Sequence, residues 1–165
     1  MKIGKGVERA VHCCTILALL PAGAALPGEA LAEFLDVAQP YLAKQLQALS
    51  RAGIVTAQSG AAGGYQLARP AQDISLWDVT EALEGTQPLY RSAELRRDGP
   101  FGAPPDECLD PCHIETAFMQ AEAEYRRTLQ AIPITHILHK VRQTMSEDRR
   151  LRIRKWIENS SAERV

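Results

Sequence analysis

The chain has 165 residues, 45% of them hydrophobic, with 19 Lys plus Arg against 20 Asp plus Glu and a formal net charge of -1. That hydrophobic fraction supports one main globular domain with accessory helices and excludes a disordered chain. The balance of charge excludes a protein that coats nucleic acid by bulk charge alone, and leaves room for a specific binder with a small positive face.

Residues 7–20 read as the first helix, because Val7, Val11, Cys14, Leu17 and Ala18 fall at spacings that form one apolar stripe; Pro21 and Gly23 then end it. The same stretch imitates a secretory leader, with Lys2, Lys5 and Arg9 ahead of an apolar run. Glu8 and His12 sit inside the would-be leader, the run is too short to span a bilayer, and cleavage would remove the first helix that the fold needs. A cytoplasmic protein with no membrane segment is therefore expected. The cysteines point the same way: two close pairs, Cys13-Cys14 and Cys108/Cys112, do not resemble a disulfide framework. Cys13 and Cys14, in mid-helix among apolar neighbours, are expected in the core.

A loop through Pro27-Gly28 leads to a second helix at 29–35, a turn at 36–39 and a third helix reaching about Ala52. Pro40 suits the first turn of that helix, where its missing N–H would be unpaired anyway. Two helices and a tight turn before a third make a helix-turn-helix, whose last helix enters the DNA major groove. On it, Tyr41 or Leu42, Leu46 and Leu49 should point inward, and Gln39, Ala43, Lys44, Gln47 and Arg51 outward. Lys44 and Arg51 suit phosphates, and Gln39 and Gln47 suit base edges. Residues 37–72 contain no Asp or Glu but include Lys44, Arg51 and Arg69. An ordinary solvated surface mixes both signs, so this local pattern points to DNA.

Ile54-Val55 opens a strand; the tip SGAAGG, from Ser59 with Gly60, Ala61, Ala62 and Gly63 to Gly64, can take positive φ; Tyr65 and Leu67 return to the core. This hairpin is the expected wing. Ile74 leads into a helix at 77–83 with Trp77, Val79 and Leu83 as packing residues, closed by Gly85. Residues 86–111 are rich in Pro and Gly, Gly99 among them, and read as a loop. The longest helix follows at about 111–130. Ile114, Ala117, Phe118, Ala121, Tyr125 and Leu129 recur at three- and four-residue steps, a seam suited to another helix and so to a dimer. Ile132-Pro133-Ile134 breaks it before a short helix at 135–141, and the tail at 145–165 reads as a basic amphipathic helix that packs its Trp156 onto the dimer or contacts phosphate or a partner.

The loop also carries chemistry. Cys108 and Cys112 are four residues apart and followed directly by His113, a donor set suited to iron or zinc. Zinc sites favour a C-x-x-C turn and a second pair, whereas a [2Fe-2S] centre needs four ligands and accepts histidine, so spacing favours iron. Two free thiols or a reversible disulfide form the other reading. Glu8 and His12 lie one helical turn apart and can face one point; on spacing alone His12 and His113 are open between ligation and a capping or packing role.

The segments QPYLAKQLQALSRAGIV, GAAGGYQLARP, ISLWDVTEALEG and ECLDPCHIE before a long helix resemble the Rrf-two family of winged-helix regulators, over roughly residues 1–140. Within it, MKIGKGVERAVHCC and a loop with two cysteines are closest in look to the redox-sensing RsrR type, beside the IscR and NsrR types. The resemblance implies a homodimeric transcription factor, usually a repressor, with an iron-sulfur cluster, expected to be [2Fe-2S], held between the cysteine loop of one subunit and the helix-turn-helix domain of the other. It matches Cys108 and Cys112 to the cluster cysteines, and Glu8 and His12, in preference to His113, to the remaining ligands. Departures from the family pattern are Arg9 in place of an aromatic, Ser59 in place of a wing arginine and Ala43 in place of a glutamate.

The expectation is thus a mainly α protein: a winged helix-turn-helix DNA-binding domain at 1–85, a cysteine loop at 86–111, dimerisation helices at 112–143 and a basic tail at 144–165. It would bind a palindromic operator through Gln39, Tyr41, Lys44, Gln47, Arg51, Ser59 and Gly60, take no small-molecule substrate and catalyse nothing, since no nucleophile elbow, phosphate loop or paired-carboxylate site is present. Alternatives are a cluster-free regulator sensing through thiols or a protein partner, and a zinc-stapled interaction module.

Overall fold

The computed structural model describes residues 3–60, 63–91, 93, 95–97 and 100–161. Lys2 of the leader-like run, Ala61 and Ala62 of the wing tip, Gly99 of the loop and the last four residues of the tail lie outside the described residues.

Helix α1 (Lys5–Leu17) forms the centre of the protein, packing against α3, α4 and α6. It starts two residues before the expected position and ends three earlier, with 18–20 forming a turn. Its buried face is Val7, Ala10, Cys13, Cys14, Ile16 and Leu17. Helices α2 (Gly28–Phe34) and α3 (Gln39–Arg51) follow. Both end in the same way. After α3, Gly53 takes φ +65, its N–H bonds to Ser50 and that of Ile54 to Leu49 at 2.9 Å, a Schellman motif. After α2, Asp36 stands in the equivalent position at φ +50, and the N–H of Val37 bonds to Ala32 at 3.0 Å. The turn of the helix-turn-helix is thus made by an aspartate in the left-handed region.

Leu42, Leu46 and Leu49 are at most 1% exposed and lock α3 onto the rest of the core. Truncating any one of them to alanine would cost about 3 kcal/mol. Strands β1 (Val55–Gln58) and β2 (Gly64–Leu67) form the antiparallel hairpin, in the register Val55 to Leu67 and Gln58 to Gly64. On the other edge of β2, Leu26 and Tyr65 exchange both backbone bonds, at 3.0 and 2.7 Å. A Cβ at Gly64 would lie 2.4 Å from the Leu26 carbonyl oxygen, so only glycine lets β2 come this close. The wing is therefore tied to the segment before α2 by the Leu26–Tyr65 bridge, which leaves no pattern in the sequence.

Helix α4 (Leu76–Glu84) begins at a capping box: the Asp78 N–H donates to the Ser75 hydroxyl at 3.1 Å and the Ser75 N–H donates to the Asp78 carboxylate at 2.6 Å. Gly85, at φ +84, ends it. The cysteine loop contains two short 3-10 turns, Leu95–Arg97 and Pro105–Cys108. Then come α5 (His113–Gln130), α6 (Ile134–Thr144) and α7 (Glu147–Ser160). Where α5 gives way to α6, the backbone is pinned to the start of α4: Leu76 N–H bonds to the Ile132 carbonyl and Ile134 N–H to the Ile74 carbonyl, each at 2.9 Å.

Helix α5 has no buried residue, and Ile114, Phe118 and Met119 are more than half exposed. Part of the expected seam has partners in its own chain: Phe118 stacks on Tyr90 and Tyr125 meets Trp77 edge-on. Helix α6 returns Ile134 and Leu138 to the core. The tail is a helix, as expected, but the destination of its tryptophan differs: Trp156 packs on Phe34 of α2 in the same chain, ring centroids 4.9 Å apart. Phe34 ends a helix too short to cover its own aromatic ring, and α7 supplies the cover.

Candidate nucleic-acid interface and cysteine loop

The outward face of α3 exposes Gln39, Ala43, Lys44, Gln47 and Arg51, and the following hairpin exposes Ser59 and Gly60. Between helix and wing runs a groove of about 530 Å³ bordered by Lys44, Gln47, Arg51, Ala57 and Tyr65. No carboxylate lines it. A convex helix with cationic and amide side chains, flanked by a β-ribbon, can lay amides on base edges and cations on phosphates.

Of the two residues open between core and surface, Leu42 is the core residue and Tyr41 is 41% exposed. The Tyr41 ring has a specific neighbour: the guanidinium of Arg9, on α1, sits 5.0 Å from its centroid. The sequence marks Arg9 only as a departure from an aromatic position, and its contact with α3 is not legible there. Gln45 was missed as well. It is 7% exposed, between the stripe residues Leu42 and Leu49, and its Oε1 has no hydrogen-bond partner among the described residues. The i, i+3, i+7 spacing from Leu42 through Gln45 to Leu49 was the available signal, overridden by the polarity of glutamine.

Arg69, the third cation of the acid-free stretch, is committed elsewhere. Its guanidinium lies 3.3 Å from the Asp78 carboxylate and also bonds to the Asp73 carbonyl. Burial works to raise the Asp78 pKa, but the bonds from the Ser75 hydroxyl and N–H, with Arg69 alongside, bring the carboxyl below its ordinary value.

In the loop, Cys108 is buried at the end of its 3-10 turn, and Cys112 is half-buried at the N-cap of α5. Two arginines of the preceding turn hold the backbone between them: Arg97 donates to the Cys108 carbonyl at 3.4 Å and Arg96 to the Asp110 carbonyl at 2.8 Å. The loop is thus shaped around its two thiols, both free. Glu8 and His12 are exposed one turn apart on α1, and His113 is exposed at the first position of α5. Among the described residues, no group of three or more His, Cys, Asp or Glu side chains is assembled within one chain. Among the described residues, one chain alone therefore does not gather Cys108, Cys112, Glu8, His12 and His113 into a metal site.

Cys13 and Cys14 are fully buried, as expected for core residues. Burial pushes the Cys14 thiol up to about 12 and that of Cys13 higher still, with Cys14 beside it adding to the effect. Neither is a thiolate at neutral pH, so neither is a nucleophile or a ready metal ligand.

No helix among the described residues is long and apolar enough to cross a membrane. Residues 3–140 match the sequence profile of Rrf2, described as an iron-dependent transcriptional regulator. YwgB of Bacillus subtilis, an HTH-type transcriptional regulator by name, is 30% identical over 141 residues, covering 86% of each chain. The structure of IscR from T. potens superposes with a TM-score of 0.66 at 21% identity, covering 89% of this chain and 93% of that one. An oxidised form of CymR from Staphylococcus aureus gives 0.63 at 23% identity, covering 84% and 96%.

Proposed function

This chain belongs to the Rrf2 family of transcriptional regulators, which bind DNA and are not enzymes, and on that premise we propose that it is a cytoplasmic homodimeric repressor sensing redox or iron-sulfur status through a [2Fe-2S] cluster. The observation that carries the DNA-binding part is the exposed, acid-free face of α3 beside the wing groove. In a dimer on a palindromic operator, two copies of α3 enter successive major grooves. Gln39 and Gln47 read base edges; Lys44 and Arg51 hold phosphates; Tyr41, steadied by Arg9, and the wing residues Ser59 and Gly60 flank them. One copy brings only two cations on this face, so affinity depends on pairing. The half-exposed Ile114, Phe118 and Met119 on α5 are the surface for that pairing.

The donor set fits a cluster shared between subunits. Cys108 and Cys112 are free, close in sequence and in a loop bonded through Arg96 and Arg97, and two thiols from one chain would supply half of a four-ligand set. Glu8 and His12 of the partner subunit, exposed on one face of α1, supply the other half, with His113 the other candidate imidazole. When bound, the cluster supplies a reversible one-electron change. The chain's own residues position the thiols and link α1 to the recognition helix through Arg9 and Tyr41.

Anaerobic purification tests this: the protein should be coloured, contain two irons per bound cluster and bind its own upstream DNA with strong salt dependence. Cys108→Ala and Glu8→Ala should each lose iron, and full iron content with an unchanged spectrum in both would overturn the shared ligand set. Lys44→Ala should weaken binding to all sequences alike, whereas Gln47→Ala should relax the preference at one base pair. A second reading, thiol sensing without metal, draws on the two free cysteines of the loop and on the likeness to CymR, known in an oxidised form. Colourless, iron-free protein that binds DNA only when Cys108 and Cys112 are reduced would establish it.

A further inference from the structure

Helix α7 and the end of α6 close a second groove, of about 800 Å³, against α1 and α2. Ile16, Leu19, Leu138 and Ile153 provide apolar lining, while Arg142, Arg149, Arg150 and Arg154 line it with positive charge. Glu158 is the one carboxylate in the lining. Among the described residues, none of these four guanidinium groups has a side-chain hydrogen bond or ion pair; the nearby Arg152 is instead paired with Asp148 at 3.3 Å. Four arginines against one carboxylate in the lining of an apolar space leave it an excess of positive charge that an organic anion complements. The volume falls within the range of small-molecule sites, roughly 300 to 1,000 Å³, and far exceeds the room a simple inorganic anion needs. All four arginines lie beyond residue 140, where the match to the family profile ends, while His12, named above as a candidate cluster ligand, and Ile16, Leu19, Phe34 and Leu138 of the lining lie within it.

We propose that this groove is a binding site for an amphipathic organic anion, an apolar chain carrying one carboxylate or phosphate head. The chain lies between α1 and α7 against Ile16, Leu19 and Ile153, and the head takes bidentate hydrogen bonds from the arginines. A bare anion would gain nothing from the apolar lining, and a neutral or cationic chain would leave the positive charge unmatched. That combination is the selectivity of the site. Because Phe34 of α2 lines the groove and Trp156 of α7 packs on Phe34, an occupant also fastens α7 to the first helix of the helix-turn-helix. Any effect of the occupant on DNA affinity must then be matched by an equal effect of DNA on the occupant.

Calorimetric titration of the full-length protein with sodium decanoate and with decyl phosphate, both below the concentrations at which they form micelles, tests the proposal. Each should saturate at one site per chain. Acetate, inorganic phosphate and decyltrimethylammonium should bind at least tenfold more weakly. The double substitution Arg149→Ala/Arg154→Ala, at exposed positions that do not threaten the fold, should weaken decanoate at least tenfold, and Ile153→Asp should do the same through the apolar lining. Non-saturating binding, or equal binding of decyltrimethylammonium, would overturn the site. So would an arginine double variant that loses DNA affinity yet binds decanoate normally, since those arginines would then serve DNA phosphates. Binding to phosphatidylglycerol vesicles without binding to free decanoate would likewise replace the groove with a membrane surface.

Discussion

Gln45 contradicts the rule that buried polar atoms find partners, since its Oε1 is enclosed between α1 and α3 and bonds to nothing among the described residues. An unpaired buried acceptor costs about 1 to 3 kcal/mol. Gln45→Met, which keeps length and removes the orphan, should raise the thermal midpoint by a few degrees at unchanged DNA affinity; a fall would mean that the amide makes a bond essential to the fold. At this scale the sequence showed which leucines were core because their period was regular. It hid Gln45 because residue type and position disagreed, and it hid the Arg9–Tyr41 contact because that contact joins two elements far apart in sequence.

The elements owe their ends to single residues. Asp36 makes the turn between α2 and α3 in the left-handed region, a conformation that costs a non-glycine residue about 1 to 2 kcal/mol. Asp36→Gly removes that strain but loosens the unfolded chain, so the net gain should be about 0.5 kcal/mol. Urea unfolding would measure it, and a loss of stability would mean that the carboxylate itself supports the turn. The capping box of α4 adds a pH dependence. The folded Asp78 pKa lies below its ordinary value of 3.8, so its contribution is full above the unfolded pKa and disappears as pH falls through the lower folded one. Asp78→Asn should therefore lower the midpoint clearly at pH 7, and the gap to the parent should close towards pH 2. An unchanging gap would point to lost packing instead. Element types were legible along most of the chain because Pro, Gly and apolar period agreed; the Leu26 bridge was not, because one residue pair has no period.

For the whole molecule, the tail is the element whose place the sequence misjudged. A basic helix with one tryptophan reads equally well as a dimer contact or an intrachain one, and the choice is made by Phe34, exposed at the end of a seven-residue helix until α7 covers it. Trp156→Ala should cost about 1 to 3 kcal/mol, seen as a lower midpoint and as faster proteolysis within α7. An unchanged midpoint would mean that α7 is docked by its other contacts. The candidate metal centre was only half legible for a related reason. Two cysteines four residues apart are visible in one sequence, whereas the ligands that the proposed function places across a dimer would not be gathered in a single chain.

The pair of backbone bonds joining 74–76 to 132–134 closes a long excursion of the chain containing α4, the cysteine loop and α5. The entropy of closing such an excursion grows only with the logarithm of its length, about 0.6 kcal/mol for each doubling. Residues inserted into or removed from the Pro- and Gly-rich part of the loop therefore leave the fold almost untouched. The segment that carries Cys108 and Cys112 can be lengthened, shortened or rewritten while the helix-turn-helix and wing remain as they are. On the proposed function, a sensor in that loop would evolve independently of the reader.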